Sequence, residues 1–175
     1  MSAPIIVTAL LGPEDFAWLN GLRQRHFPPE RNQLRAHLTM FHHLPPGIER
    51  ELIDLLRDLT RAPPPDARLA GLMNLGRGVA YRIESDGLQD VRGRIAERFR
   101  GSLTPQDAGG WRPHVTVQNK VQPAEARALL AELSERFAPR PLAIAGLAAW
   151  HYRGGPWELI RAQAFRNAKL PNDFA

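Results

Sequence analysis

The sequence predicts an α+β fold of two pseudo-symmetric lobes, each an antiparallel sheet with helices outside, enclosing a central cleft. Three observations carry this: four amphipathic helical stripes, short β-rich runs between them, and an element order that repeats between the two halves. Residues 1–175 read as a single bilobal domain with intertwined lobes, the first half holding His37 and the second His114.

Helical spacing appears at Phe16, Leu19 and Leu22, then at Ile48, Leu52, Leu55, Leu56 and Leu59. It returns at Leu88, Val91, Ile95 and Phe99, and at Ala126, Leu129, Leu130, Leu133 and Phe137. Pro13 and Pro123 stand where a first helical turn tolerates proline, and Pro46-Gly47 opens the second helix. Strand-like runs fall at 5–11, 37–44, 68–75, 79–84, 114–121, 142–152 and 157–165. Pro63-Pro64-Pro65 separates the second helix from the third strand, while Gly76-Arg77-Gly78 and Gly154-Gly155-Pro156 read as hairpin turns. Strand, helix, strand from 5 to 44 recurs from 79 to 121, so His37 and His114 take equivalent places. The stretch 101–111 reads as a loop able to serve as a mobile flap over a site. The tail 170–175 is expected to fray.

Hydrophobic residues make up 43% of 175, enough for a core without staples. The absence of cysteine excludes disulfides and thiolate metal sites and points to a reducing, cytoplasmic setting. The apolar stretch from Pro4 to Leu11 lacks the basic flank and length of a signal peptide. No apolar run reaches the ~20 residues of a membrane span, so no membrane partner is expected. The net charge is +5, and all of the 23 basic residues except Lys120 and Lys169 are arginines. Arginine's planar fork of donors matches phosphate oxygens, which favours a phosphate-bearing partner, although solvated helix faces account for the same bias.

Two heptads echo each other: Arg35-Ala36-His37-Leu38-Thr39-Met40-Phe41 and Arg112-Pro113-His114-Val115-Thr116-Val117-Gln118. Alternation along a strand puts His37 and Thr39 on one face, and likewise His114 and Thr116, with their apolar neighbours opposite. A lone His-x-Thr carries little information. Two copies in apolar strands at matched positions of a repeated pattern are hard to assign to packing. Two imidazoles that titrate near neutrality can act as one acid and one base, and threonine hydroxyls can donate to phosphoryl oxygens.

The paired HLTMF and HVTVQ segments resemble the two-histidine phosphoesterase superfamily, which includes RNA 2',3'-cyclic phosphodiesterases, also called 2',5' RNA ligases. The resemblance spans roughly Ile5 to Phe165 in element order and implies that His37, Thr39, His114 and Thr116 form a catalytic tetrad. It further implies His114 as general base and His37 as general acid, roles that exchange in the ligation direction. The implied partner is an RNA end or small nucleotide bearing a cyclic phosphate, with no cofactor and no obligate protein partner. A non-catalytic nucleotide- or RNA-binding module on the same fold is the alternative.

Further candidates follow from strand alternation. Gln118 and Lys120 continue the face of His114, and Arg161 and Gln163 alternate with Ile160 and Ala162 in the last strand. Phe41, Tyr81, Trp150 and Tyr152 are candidate base-stacking platforms. His42 and His43 follow the first motif with no carboxylate or thiolate near them in sequence, so no metal site is expected and they read as a strand end.

Overall fold

The structure, a computed structural model, describes residues 3–175. In chain order its elements are β1 (Ile5–Leu11), α1 (Pro13–His26), β2 (Leu38–Leu44), α2 (Glu49–Leu59), β3 (Arg68–Asn74), β4 (Val79–Glu84) and α3 (Asp86–Arg98). There follow α4 (Pro105–Ala108), β5 (His114–Gln118), α5 (Pro123–Arg136), β6 (Arg140–Pro141), β7 (Ile144–His151) and β8 (Glu158–Ala164). Proline opens α1 and α5, and the Ser85 hydroxyl caps α3 by accepting the Leu88 N–H at 3.1 Å.

The strands form two antiparallel four-stranded sheets of order β2-β1-β7-β8 and β5-β4-β3-β6. The two orders correspond place by place, with β1 matching β4 and β2 matching β5, as the repeated pattern predicts. Strand β1 lies inside its sheet and is buried along its whole length, which suits a run that is apolar except for Thr8. The lobes interlock. Helix α1 joins two strands of the first sheet yet packs against β5 of the second, and α5 packs on β3 and β4. Helix α2 packs on β7, β8 and α3. One apolar cluster therefore runs from Ile5 and Leu38 through Leu56 and Leu88 to Val115 and Leu129.

The faces of each sheet are set by a pair of matched bulges. Thr39 pairs with Thr8 but Phe41 pairs with Val7, leaving Met40 as an extra residue. In the second sheet Thr116 pairs with Ala80 but Gln118 with Val79, leaving Val117 as the extra one. A bulge shifts side-chain alternation by one position. Thr39 and Thr116 thus face the cleft, while Phe41 and Gln118 turn to the core side, where Val7 and Val79 belong to the apolar cluster.

Two expectations about extent are corrected, and one short strand was not foreseen. The strand predicted for 114–121 stops at Gln118, because Lys120 takes a left-handed φ of 65°. The two-residue β6, which contains a proline, gave no sequence signal. The tail is packed and not frayed: Phe174 meets Trp150 edge-on at 6.1 Å, Leu170 packs against the same ring's cluster, and the Ala175 carbonyl accepts Arg35 Nε at 3.1 Å.

The core position of Phe41, which is fully buried, is testable. Phe41→Ala should cost about 3–5 kcal/mol in urea unfolding, whereas the milder Phe41→Leu should leave the KM of any nucleotide substrate unchanged. A raised KM with intact stability would return the ring to the cleft.

Candidate active site

Both motif histidines are held by the same bond. His37 Nδ1 lies 2.8 Å from the Arg35 carbonyl, and His114 Nδ1 lies 2.9 Å from the Arg112 carbonyl. A carbonyl only accepts, so each Nδ1 carries the proton and each Nε2 is left free. His114 sits beside Thr116 on the cleft face of β5, opposite Arg82 of β4, and His37 immediately precedes β2. Both rings and both threonines are part-exposed, while Leu38, Met40, Val115 and Val117 are fully buried.

Helix α1 supplies two polar side chains to this floor. Asn20 and Arg23 fall on its apolar stripe at i+4 and i+7 from Phe16, a signal present in the sequence. Asn20 Oδ1 accepts the Ala36 N–H at 2.9 Å and fixes the chain just before His37. Arg23 is 4% exposed and donates through Nε to Asn32 Oδ1 and the Leu34 carbonyl, and through Nη1 to the Thr116 carbonyl at 3.2 Å. Burial pushes its pKa down to about 10, so it stays cationic at neutral pH, and all three acceptors are neutral. Its guanidinium also lies over the Phe27 ring at 4.2 Å, but no carboxylate among the described residues pairs with it, which leaves the buried charge able to attract an anion.

His37 is part-exposed, but protein surrounds it on the cleft floor. Burial lowers its pKa to about 4, opposed by the hydrogen bond to Arg35 and assisted by the charges of Arg23, His114 and His42. Strands β2 and β5 lie against each other, which makes the two motif segments neighbours. Trp157 stands edge-on to the His37 ring at 4.7 Å. Beside them lies a cavity of about 420 Å³, lined among others by Arg23, Arg31, His42, Lys120, Tyr152 and Trp157.

The stretch expected to be a mobile flap is a latch. The buried Asp107 carboxylate accepts the backbone N–H groups of His42 at 2.8 Å and His43 at 2.9 Å, and Trp111 Nε1 donates to the Thr39 carbonyl at 2.9 Å. Arg92 donates to the carbonyls of Met40 and Asp107 and lies over the Phe41 and Trp111 rings. These contacts hold the bulged strand, because a bulge leaves backbone groups without ladder partners.

Of the other predicted site residues, Lys120 and Tyr152 line the cavity and the rest do not. Gln118 is 3% exposed and leaves the cleft through the Val117 bulge, with its Oε1 unbonded. Phe41 is lost to the core in the same way. Arg161 pairs with Ala149, and Gln163 with Leu147, on the side of the sheet turned away from the cleft. Tyr81 packs between Trp18 at 5.3 Å and Phe137 at 6.2 Å behind the second sheet. Trp150 is on the cleft side but 5% exposed, with its Nε1 donating to Thr8 Oγ1 and its ring under Trp157 and Phe174. Asn20, Arg23, Arg31 and Trp157 are the site residues the motifs did not announce. Among the described residues no three His, Cys, Asp or Glu side chains gather as a metal-binding group, and no helix is long and apolar enough to cross a membrane.

Two antiparallel sheets bringing twin His-x-Thr segments into one cleft define the fold of a two-histidine phosphoesterase. The chain belongs to the 2'-5' RNA ligase superfamily, whose family model matches residues 11–156. Solved structures are similar in fold. TT0787 of Thermus thermophilus is 17% identical with a TM-score of 0.60, over 93% of this chain and 98% of that one. LigT of E. coli complexed with 3'-AMP is 19% identical with a TM-score of 0.54, over 94% and 99%. A structure described as a phosphoesterase is 17% identical with a TM-score of 0.56, over 94% and 99%. No curated protein matches the chain.

The lowered pKa of His37 has a consequence for the folded state. Above pH 6.5 neither folded nor unfolded His37 binds the proton, but between 6.5 and about 4 the unfolded chain takes it up and the folded one does not. Stability should fall as pH falls through that window, and His37→Gln should lose less between pH 7 and 4.5 in urea unfolding. Equal losses would show that the ring is not shielded.

Proposed function

We propose that the protein hydrolyses a 2',3'-cyclic phosphate of an RNA end or nucleotide without a metal, and that the same site supports 2',5' ligation in reverse. The observation that carries this reading is the matched pair of imidazoles, each with Nδ1 tied to its own backbone and Nε2 free toward the cleft. Such a pair can receive one proton and give another at opposite sides of a phosphorus.

We infer the division of roles from the burial of His37, and it is the opposite of the one the family resemblance implied. A ring whose pKa is lowered to about 4 is neutral at neutral pH, so His37 Nε2 is the base and His114 the acid. A water bound between His37 and the phosphorus loses its proton to His37 Nε2 as its oxygen bonds to phosphorus. The bond from phosphorus to one ribose oxygen breaks, and His114 Nε2–H delivers the proton to that oxygen. The Thr39 and Thr116 hydroxyls donate to the non-bridging oxygens, and Arg23 supplies the positive field beneath them. Trp157 and Tyr152, at the cavity wall, are placed to stack on a base. Expected partners are therefore RNA ends or small nucleotides, bound more weakly as salt rises.

His37→Ala and His114→Ala should each reduce kcat/KM on adenosine 2',3'-cyclic phosphate by about 10²- to 10⁴-fold, and the double change by far less than the product. The pH profile should be bell-shaped, with the acid limb removed in His37→Ala. A bound phosphate anion favours the charged imidazole, so the acid limb of kcat should lie at higher pH than that of kcat/KM. Thr39→Val and Thr116→Val should lower the rate without moving either limb, and exhaustive chelation should leave turnover intact. Near-full activity in either histidine variant would rule the reading out.

A further inference from the structure

A third histidine faces this cleft, and its setting differs from that of the motif pair. The Met40 bulge that sends Phe41 to the core returns His42 to the cleft side, where it lines the cavity with Arg23, Arg31 and Lys120. Its side chain is 46% exposed, and its Nδ1 lies 3.3 Å from Asp107 Oδ1, a carboxylate whose side chain is fully buried. Burial alone would raise the Asp107 carboxyl. The hydrogen bonds from the His42 ring and from the His42 and His43 backbone overcome this and hold it below its usual range. Asp107 latches the strand through two backbone N–H groups, and that latch has no need of an imidazole. The additional contact engages Nδ1 and leaves Nε2 as the ring nitrogen available to a ligand in the cavity that His42 lines.

The charge of that cavity is one-sided. Arg23, Arg31, His42 and Lys120 line it, and no aspartate or glutamate does. A single cyclic phosphate carries one negative charge, and the motif pair with Arg23 already answers it. Further cations at the adjoining wall fit a further anion.

We propose that His42, oriented by Asp107, binds a second phosphate of the substrate, so that the preferred substrate is a cyclic-phosphate nucleotide carrying another phosphate group. An imidazole tied to a carboxylate through Nδ1 takes a second proton at Nε2 when a phosphate binds beside it, and the resulting imidazolium donates Nε2–H to a phosphate oxygen as a charge-assisted bond. Arg31 and Lys120 supply the surrounding positive field. The second phosphate is either a 5'-phosphomonoester or the internucleotide diester of an RNA end, which share this chemistry. The inference rests on reading the cleft as a phosphoester site, and its test separates the two.

The test compares kcat/KM for adenosine 2',3'-cyclic phosphate with that for its 5'-phosphorylated form and for a dinucleotide ending in a 2',3'-cyclic phosphate. Calorimetric titration with inorganic pyrophosphate and with orthophosphate runs in parallel. The wild type should prefer a second phosphate by about tenfold or more, chiefly through KM, and bind pyrophosphate more tightly than orthophosphate by a similar factor. His42→Gln should bring both ratios near unity, while His43→Gln, at an exposed neighbour, should leave them as they are. Whichever of the two doubly phosphorylated substrates is favoured identifies the source, and either supports the subsite. Loss of the pyrophosphate preference in His42→Gln without turnover of any substrate would sink the hydrolytic reading and keep the subsite. Ratios unchanged in His42→Gln, or absent from the wild type, would overturn it.

Discussion

Each motif imidazole is pinned by a hydrogen bond to the carbonyl two residues before it, and the rest of the site depends on that constraint. The bond at 2.8 Å for His37 and 2.9 Å for His114 fixes the tautomer and aims Nε2 without using a second side chain. It works only if the short segments before the histidines are themselves held. Asn20 anchors Ala36 in the first motif, and the Pro113 carbonyl accepts Ile83 N–H at 2.9 Å in the second. After the histidines, the matched bulges at Met40 and Val117 turn the strands so that the threonines stay in the cleft and the following side chain seals the core.

The electrostatics of the cleft favour an anion. Arg23 is buried against neutral oxygens, and its unbalanced charge contributes to holding His37 neutral. In the proposed reaction a phosphate placed there would satisfy the cation and raise the affinity of His37 for the proton it accepts. The same charge thus serves both binding and proton transfer. Folding energy for the arrangement comes from the shared apolar cluster, in which α1 carries the site's polar floor on one side of its stripe and Phe16, Leu19 and Leu22 on the other.

Periodicity made most of the fold legible. The four longer helices and seven longer strands follow from 3.6- and 2-residue spacing, and the duplicated His-x-Thr pattern marked the equivalent strands β2 and β5. What alternation could not reveal was where it fails. Phe41 and Gln118 both stand four residues after their histidines, and both were assigned to the cleft by a period of two that the bulges break. Arg161 was misplaced because nothing in a single strand says which face its sheet presents. Tyr81 and Trp150 were misplaced because the Trp18 and Phe174 that cover them come from distant parts of the chain. Asn20 and Arg23 were visible as polar residues on an apolar stripe, but their meaning depends on Ala36 for the first and on Leu34 and Thr116 for the second, which only the fold brings near. The latch of Asp107 on β2 is equally non-local.

In the proposed reaction, two histidines fixed at separate sites leave only one ribose oxygen in line with the acid. The measurement that tests this most directly is the product of adenosine 2',3'-cyclic phosphate hydrolysis, followed by phosphorus NMR in the presence of a chelator. The account predicts complete conversion to a single phosphomonoester regioisomer, abolished in His37→Ala and in His114→Ala. A mixture of 2'- and 3'-phosphates, or no conversion by the wild type, would contradict it.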